Sequence, residues 1–195
     1  MATNIIQHIT RGKMKTLYAK IIKKAVYIFF IAFVLIYTIP FPINKELDAV
    51  EIKLDDPSYL ETHKIYISGK YRFNLFTDNT FQGQISVPEY ELTSNEMERL
   101  QFIKGIDHES PLVYTYKEGV GTDGRPITKY YDFGKIVSRP LLYRTVIVLY
   151  EQYEGKDGDY GGHFNSNTGH CIVPFVSDRE EALKILEKYD IFPSK

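Results

Sequence analysis

Hydrophobic and polar residues alternate along much of the chain after residue 50, which is typical of β-strands buried on one side. The clearest alternation runs over residues 64–76 and resumes over residues 81–87, with the turn-forming residues 77–80 between them. This pattern predicts a β-hairpin. Gly69 interrupts the first strand and predicts a bulge or a bend there.

Three other segments predict strands. Val50–Leu54 alternates with period two, which predicts a half-buried strand with its apolar residues inward. Arg144–Tyr150 is almost continuously apolar and predicts a strand in the centre of a sheet. Cys171–Val173 predicts a short strand that Pro174 ends.

Two segments predict helices. Thr93 and Glu96 resemble a capping box for a short helix that Gly105 could close, although its apolar face is thin. Ser177 and Glu180 form a second capping box, before a C-terminal helix with one apolar stripe. The predicted fold is therefore α+β: an antiparallel β meander of six to eight strands with the C-terminal helix packed on the sheet.

One stretch near the N-terminus has a different pattern. Ala25–Ile43 contains no charged residue, and as a helix it would span about 28 Å, close to the thickness of a membrane interior. Pro40 and Pro42 should end the helix near Ile39. No signal-peptidase site follows it, and the only cysteine lies far away, which excludes a lipoprotein anchor. These features predict one uncleaved transmembrane helix that contacts the lipid bilayer.

Charge predicts the orientation of this helix. All 25 acidic residues follow Ile43, whereas six basic residues and no acidic residue precede it. Basic residues favour the cytoplasmic side, so we expect a single-pass protein of the cell membrane with its N-terminus in the cytoplasm. The predicted organisation is a basic cytoplasmic head (1–24), a transmembrane helix (25–43), a linker (44–49) and an extracytoplasmic β-rich domain (50–195).

Composition narrows the function classes. The 16 Tyr and 12 Phe favour aromatic packing and strands, and a single cysteine excludes an internal disulfide. The region after the apolar run carries an excess of acidic residues, which argues against a nucleic-acid partner. The abundance of Lys, Ile and Tyr indicates a bacterial protein from an AT-rich genome.

Two segments carry a resemblance to a known group of proteins. The residues from Gly69 to Ile85 read G-x-Y-x-x-x-L-F-x-D-x-x-F-x-G-x-I, and Ser177–Ala182 matches a Ser/Thr-x-Arg-Glu-Glu-Ala helix start. In both respects the chain resembles small membrane-anchored β-rich proteins of Gram-positive bacteria (Firmicutes). This resemblance implies the architecture predicted above, and it implies no activity and no site.

A glycine-rich segment matches a nucleotide-binding pattern only superficially. Gly119, Gly121 and Gly124 have the spacing of a dinucleotide fingerprint, which must open a helix to bind the pyrophosphate. Arg125-Pro126 follows instead, so a hairpin loop is the better interpretation. We therefore expect no nucleotide and no cofactor.

The segment from His163 to Cys171 could support metal binding or catalysis. His163, His170 and Cys171 are chemically able to hold zinc, but their spacing matches no common ligand pattern. Neighbouring residues in a strand point to opposite faces, so His170 and Cys171 should diverge. The alternative is that Cys171 is a core residue and the histidines lie on the surface.

The loop predicted at Glu151–Gly169 is the candidate working surface. It is long for a connection between two strands, and it mixes glycines with aromatic residues. Such aromatic residues can stack on a sugar ring or enter a pocket of a partner; alternatively, they fold back to cover one end of the sheet. The candidate binding residues are Tyr153, Tyr160, His163 and Phe164.

The function expected from these patterns is that of a binding or interaction module, with an envelope protein or polymer or a small ligand as its partner. The alternative is a membrane-tethered enzyme or metal-binding domain that uses the segment from His163 to Cys171. No catalytic pair of carboxylates is distinguished by an apolar setting in the sequence, so the first expectation is favoured.

The orientation can be tested in intact cells. A protease added outside should digest the C-terminal domain and spare a tag on the N-terminus, because the basic head holds that end in the cytoplasm. Immunoblots for tags at the two ends measure this. Protection of the C-terminal domain would contradict both the orientation and the localisation.

Overall fold

The structure, a computed structural model, describes residues 18, 20–35, 37, 39–103, 108–122, 124–154 and 160–191. Most of the basic head predicted at 1–24 lies outside these residues. The chain divides into two compact units, Met1–Ile39 and Pro40–Lys195.

The first unit contains helix α1, which is described over residues 20–35. The amide of Ile39 donates to the carbonyl of Leu35 at 3.0 Å, and Pro40 has no amide proton to continue the pattern. No helix in the described part of the chain is long and apolar enough to cross a membrane. Residues 41–49, assigned from the sequence to the helix end and a linker, belong to a strand instead.

The second unit consists mainly of antiparallel strands. The strands are β1 (Phe41–Lys53), β2 (Leu60–Arg72), β3 (Asn79–Ser86), β4 (Glu96–Met97), β5 (Leu100–Phe102), β6 (Glu109–Val120), β7 (Pro126–Arg139), β8 (Tyr143–Leu149), β9 (Glu151–Glu154), β10 (Tyr160–His163) and β11 (His170–Pro174). The C-terminal helix is α2 (Arg179–Glu187). The predicted hairpin is formed by β2 and β3, and the glycine-rich segment connects β6 to β7.

Nine of the described strands form one sheet in the order β4-β6-β7-β8-β11-β1-β2-β3-β5, and β9 pairs with β10. The prediction of a mainly antiparallel fold with a C-terminal helix is confirmed. The predicted count of six to eight strands is too low, and the order is not a simple meander. The late strand β11 lies between β8 and β1, so it joins the two halves of the sheet.

The sheet curls because its two edge strands are consecutive in the chain. β4 pairs with β6 at one edge, and β5 pairs with β3 at the other. Between them, the amide of Glu98 donates to the carbonyl of Val113 at 2.9 Å. The amide of Gln101 donates to Ser110 Oγ at 2.9 Å. The first bond continues the pairing of β4 with β6, and the second joins β5 to β6, so the two edges lie together and are less open to pairing with a foreign strand.

The prediction of a short helix that begins at Thr93 is wrong. Thr93 lies in a 3₁₀ turn (Glu91–Ser94), and its hydroxyl donates to the carbonyl of Tyr90 at 2.7 Å and accepts from the amide of Val87 at 2.9 Å. The chain then enters β4 and β5. A thin apolar face stabilises an isolated helix poorly, whereas Met97 and Leu100 are buried at the sheet edges.

The inner face of the curled sheet encloses the larger core. Tyr114 crosses it, and its hydroxyl donates to the carbonyl of Ile85 at 2.6 Å. The β2–β3 hairpin adds a close backbone contact, because Gly69 faces Gly83. A Cβ atom on Gly69 would lie 2.5 Å from the carbonyl oxygen of Gln82, so only glycine fits this approach.

The outer face of the central strands carries a second core, which α2 covers. Val50 and Cys171 are buried there against Ala182 and Leu186 of the helix. The helix begins one residue later than predicted: Asp178, not Ser177, is the N-cap, and its carboxylate accepts from the amide of Glu181 at 2.9 Å.

Helix α2 should contribute strongly to stability through Leu186, which is fully buried. Replacing Leu186 by Ala should lower the free energy of unfolding by about 2–5 kcal/mol, because the change leaves a cavity under the helix. Urea denaturation of the full chain in maltoside micelles, followed by circular dichroism, measures this. The exposed neighbour Glu187, changed to Ala, is the matched control and should cost less than about 0.5 kcal/mol. Equal effects of the two changes would contradict the packing of α2.

Candidate functional site

A buried carboxylate lies on the inner face of β1. The side chains of Val50 and Ile52 point outward under α2, so Glu51 points into the curled sheet, where it is 0% exposed. The register explains its neighbours. Ala49 pairs with His63 of β2, and Lys53 pairs with His170 of β11, on the same face of β1 as Glu51. The two histidines are therefore diagonal neighbours of Glu51 from opposite sides.

Glu51 accepts three aligned hydrogen bonds. The hydroxyl of Tyr90 donates to Oε2 at 2.7 Å, and the hydroxyl of Tyr59 donates to Oε1 at 3.1 Å. Nδ1 of His170 lies 2.7 Å from Oε1. Burial and the Glu51 carboxylate both raise the pKa of the Tyr59 and Tyr90 hydroxyls, so these groups stay protonated and act as donors.

His63 completes what we term the Glu51 cluster: Glu51, Tyr59, His63, Tyr90 and His170. Its Nε2 is 2.9 Å from Oε2 of Glu51, and its Nδ1 is 3.4 Å from Oε2 of Glu89. Despite these short distances, neither ring nitrogen has a hydrogen-bond partner within the described residues, because the contacts are not aligned. We therefore treat the contact between His63 and Glu51 as electrostatic.

The cluster orients the imidazole of His170. Because Glu51 engages Nδ1, the remaining ring nitrogen, Nε2, is available to solvent or to a ligand. Tyr59 packs edge-on against the imidazole, with ring centroids 5.4 Å apart. The side chain of His170 is 29% exposed, so the ring connects the buried carboxylate to the surface.

A cavity of about 190 Å³ opens beside His170. Its walls are aromatic and aliphatic, with Glu151 as the charged residue among them. Tyr90 meets Phe133 edge to face with centroids 5.0 Å apart, and Tyr131 lies 6.0 Å from the same ring. The lining residues are Tyr90, Tyr131, Phe133, Leu149, Tyr150, Glu151 and His170.

The surroundings of this aromatic cavity are acidic. Burial raises the pKa of Asp132, and Oδ1 of Asp132 has no hydrogen-bond partner in the described part of the chain. Burial raises the pKa of the Tyr150 hydroxyl, and the charges of Asp132 and Glu109 raise it further. Asp132 lies between the lining residues Tyr131 and Phe133 in β7. Glu109 is paired with Lys135 at 2.6 Å. No lysine or arginine is found among its described lining residues.

The segment predicted as a long loop is partly ordered as the β9–β10 hairpin. In it, the ring of Tyr153 lies 5.8 Å from the ring of His163, between centroids. Tyr160 pairs through its backbone with Glu154, and its side chain lies outside the described part. Phe164 packs instead against the outer core. The hairpin reaches the aromatic cavity through Glu151, which pairs with His163.

The structure separates the members of the predicted segment from His163 to Cys171. His163 lies on the hairpin, His170 faces Glu51, and Cys171 points to the outer core, as alternation in a strand requires. Burial raises the pKa of the Cys171 thiol to about 12. Among the described residues, no group of three or more His, Cys, Asp or Glu is placed to hold a metal ion.

Alternation along the sequence does not identify Glu51 as a buried residue. In Val50–Leu54, alternation predicts that the residues between the apolar positions face solvent, but β1 is covered on both faces over residues 49–52. No local signal distinguishes Glu51 from an exposed acid. His170 lies 119 positions further along the chain, and only the pairing of β1 with β11 brings the two together.

The raised pKa of Cys171 predicts an inert thiol. At pH 8 the native protein should react with a thiol reagent such as Ellman's reagent far more slowly than the unfolded protein, because burial suppresses the thiolate. The absorbance of the released thionitrobenzoate, with and without 8 M urea as the denaturant, measures this. Fast stoichiometric reaction of the native protein would contradict the buried position.

Comparisons with known proteins found no match: no family model, no curated protein and no solved structure matches the chain. The resemblance to membrane-anchored proteins of Gram-positive bacteria stays a prediction.

Proposed function

We propose that the β-rich domain is a binding module that takes a small organic cation, such as an amine or a quaternary ammonium group, in the aromatic cavity beside His170. The observation that carries this proposal is that the described lining residues combine aromatic walls with the carboxylate of Glu151 and include no lysine or arginine. A cavity of about 190 Å³ suits a ligand of this size. The proposal thus specifies a chemical class of ligand for the binding module expected from the sequence.

Aromatic rings attract cations through the negative charge of their faces, by about 0.5–2 kcal/mol per contact depending on desolvation. Tyr90, Tyr131, Phe133 and Tyr150 supply such rings on several sides of the cavity. The carboxylate of Glu151 adds attraction at the wall, and the half-buried Asp132 lies nearby. A neutral ligand of the same shape would gain only the apolar contact.

The Glu51 cluster supports this site by holding two of its walls. Tyr90 and His170 both bond to the Glu51 carboxylate, which restricts their rotation before a ligand arrives. Preorganised walls lose less conformational entropy on binding.

We also propose that α1 attaches this module to the cell membrane, with residues 50–195 outside the cytoplasm. The consecutive residues Ile28, Phe29, Phe30 and Ile31 are all exposed, and Phe29 is 73% exposed. Four consecutive helical residues cover most of the circumference, so this segment of α1 presents no polar face to water. An envelope protein or polymer that carries amine groups would be a suitable source of the ligand.

A second candidate function is general-base catalysis by His170. The observation that favours it is the bond from Glu51 to Nδ1, because a buried carboxylate that orients an imidazole leaves Nε2 able to accept a proton. A substrate bound in the aromatic cavity would lie beside this nitrogen. Turnover of a bound ligand would favour this function over simple binding.

The cation proposal can be tested with the full chain in maltoside micelles. Choline and its neutral isostere 3,3-dimethylbutanol are compared by saturation-transfer NMR, which also detects chemical change of the ligand. Choline should bind more tightly than the isostere. Replacing Tyr131 by Ala should weaken the affinity for choline by about 5- to 30-fold, which corresponds to a loss of about 1–2 kcal/mol of binding free energy. The isostere should be affected less.

Tyr130 provides the matched control. It precedes Tyr131 in β7, is 60% exposed and is not a described lining residue of the cavity, so its change to Ala should leave choline binding unaltered. Equal affinity for choline and its isostere would contradict the cation proposal. Equal effects of the two tyrosine substitutions would contradict the location.

A further inference from the structure

A second concave site lies on the opposite face of the sheet from the Glu51 cluster. This α2 groove, of about 540 Å³, is bounded by helix α2, by the start of β8 and by the residues after β11. Its lining includes four basic side chains, Arg139, Arg144, Lys184 and Lys188, and one acidic side chain, Glu181. The excess of positive charge is the reverse of the acidic surroundings of the aromatic cavity.

The arginines of the groove have no carboxylate partner in the part of the chain that the structure describes. Among the described residues, neither Arg139 nor Arg144 forms an ion pair, and Lys184 reaches only the exposed Glu180 at 3.7 Å. Both guanidinium groups act on Tyr189: burial raises the pKa of its hydroxyl, and the two arginines oppose this rise. Two guanidinium groups that line one groove without an ion pair among the described residues make a potential anion site.

The backbone around the groove is unusual. Leu141, Leu142, Arg144 and Phe175 have φ angles of 62°, 53°, 52° and 66°, in the left-handed region that residues with a side chain rarely adopt. Arg144 and Phe175 line the groove itself. Nζ of Lys45 donates to the carbonyl of Leu141 at 3.2 Å, which helps to hold this turn. Strained conformations persist where surrounding contacts enforce them, and they concentrate at binding sites.

The strained turn orients the groove's side chains. The guanidinium group of Arg144 lies over the ring of Tyr143, 5.7 Å from its centroid, and the carbonyl of Arg144 accepts from the hydroxyl of Tyr189 at 2.6 Å. Both Tyr143 and Phe175 are exposed at the groove, so apolar surface flanks the cations. A guanidinium group held in this way can bind two oxygens of one phosphate group.

We propose that the α2 groove binds a phosphate group, through Arg139 and Arg144 with Lys188 nearby, and that Tyr143 and Phe175 contact the carbon chain attached to it. The phosphate could belong to a soluble phosphate ester or to the headgroup of a phospholipid, which share this chemistry. The proposal is independent of the cation site, because the two sites lie on opposite faces of the sheet and take opposite charges.

Calorimetric titration of the full chain in maltoside micelles tests the proposal. Three probes are used: glycerol 3-phosphate, dihexanoyl phosphatidylglycerol and the zwitterionic dihexanoyl phosphatidylcholine. We expect the phosphatidylglycerol, or both anionic probes, to bind. The affinity should fall by at least tenfold in Arg144→Gln, and added salt should also lower it. Binding of glycerol 3-phosphate would show that a soluble phosphate ester is sufficient for binding. Binding of phosphatidylglycerol alone would show that the site requires a lipid.

Two further variants make the result specific. Arg99→Gln, an exposed arginine between β4 and β5 that is not a described lining residue of the groove, is the matched control and should bind normally. Lys188→Gln, at the exposed end of α2, should weaken binding even if Arg144→Gln does not fold. Absence of binding by both anionic probes would overturn the proposal. Equal binding of the phosphatidylcholine, or equal loss in Arg99→Gln, would also overturn it.

Discussion

The rest of the structure depends on the position of β1 in the middle of the sheet. Its hydrogen bonds to β2 on one side and β11 on the other join two sets of strands that are far apart in sequence. Over residues 49–52 both faces of β1 are covered, so its alternate residues supply two different cores: Val50 and Ile52 contribute to the layer under α2, and Leu47 and Ala49 to the interior. Earlier in the strand one face is exposed, at Asn44, Glu46 and Asp48.

This position has a consequence for Glu51. A carboxylate in the interior loses its hydration, and leaving its charge unpaired there would destabilise the fold by roughly several kcal/mol. Tyr59, Tyr90 and His170 replace the lost water with aligned bonds, and His63 adds an electrostatic contact. An apolar residue would fill the same position without these partners, and buried carboxylates with several polar partners are common at functional sites.

The two faces of the sheet have opposite electrostatic character. Beside His170, the aromatic cavity is surrounded by Glu151, Asp132 and the buried Glu51, whereas the α2 groove presents Arg139 and Arg144 without carboxylate partners in the described chain. A net charge of −1 conceals this division, because charges of both signs nearly cancel. The separation would allow one small domain to carry the two proposed ligand sites without mutual neutralisation.

The sequence by itself determined the local elements: the β2–β3 hairpin, the capped C-terminal helix, the core position of Cys171 and the end of α1 before Pro40. Alternation, capping residues and proline act within a few positions, so they can be interpreted without the fold. The tertiary structure decided the rest. Alternation shows which residues of a strand share a face, but it cannot show whether the second face is also covered. That is why Glu51 was expected at the surface, and why its contact with His170 follows only from the insertion of β11 beside β1.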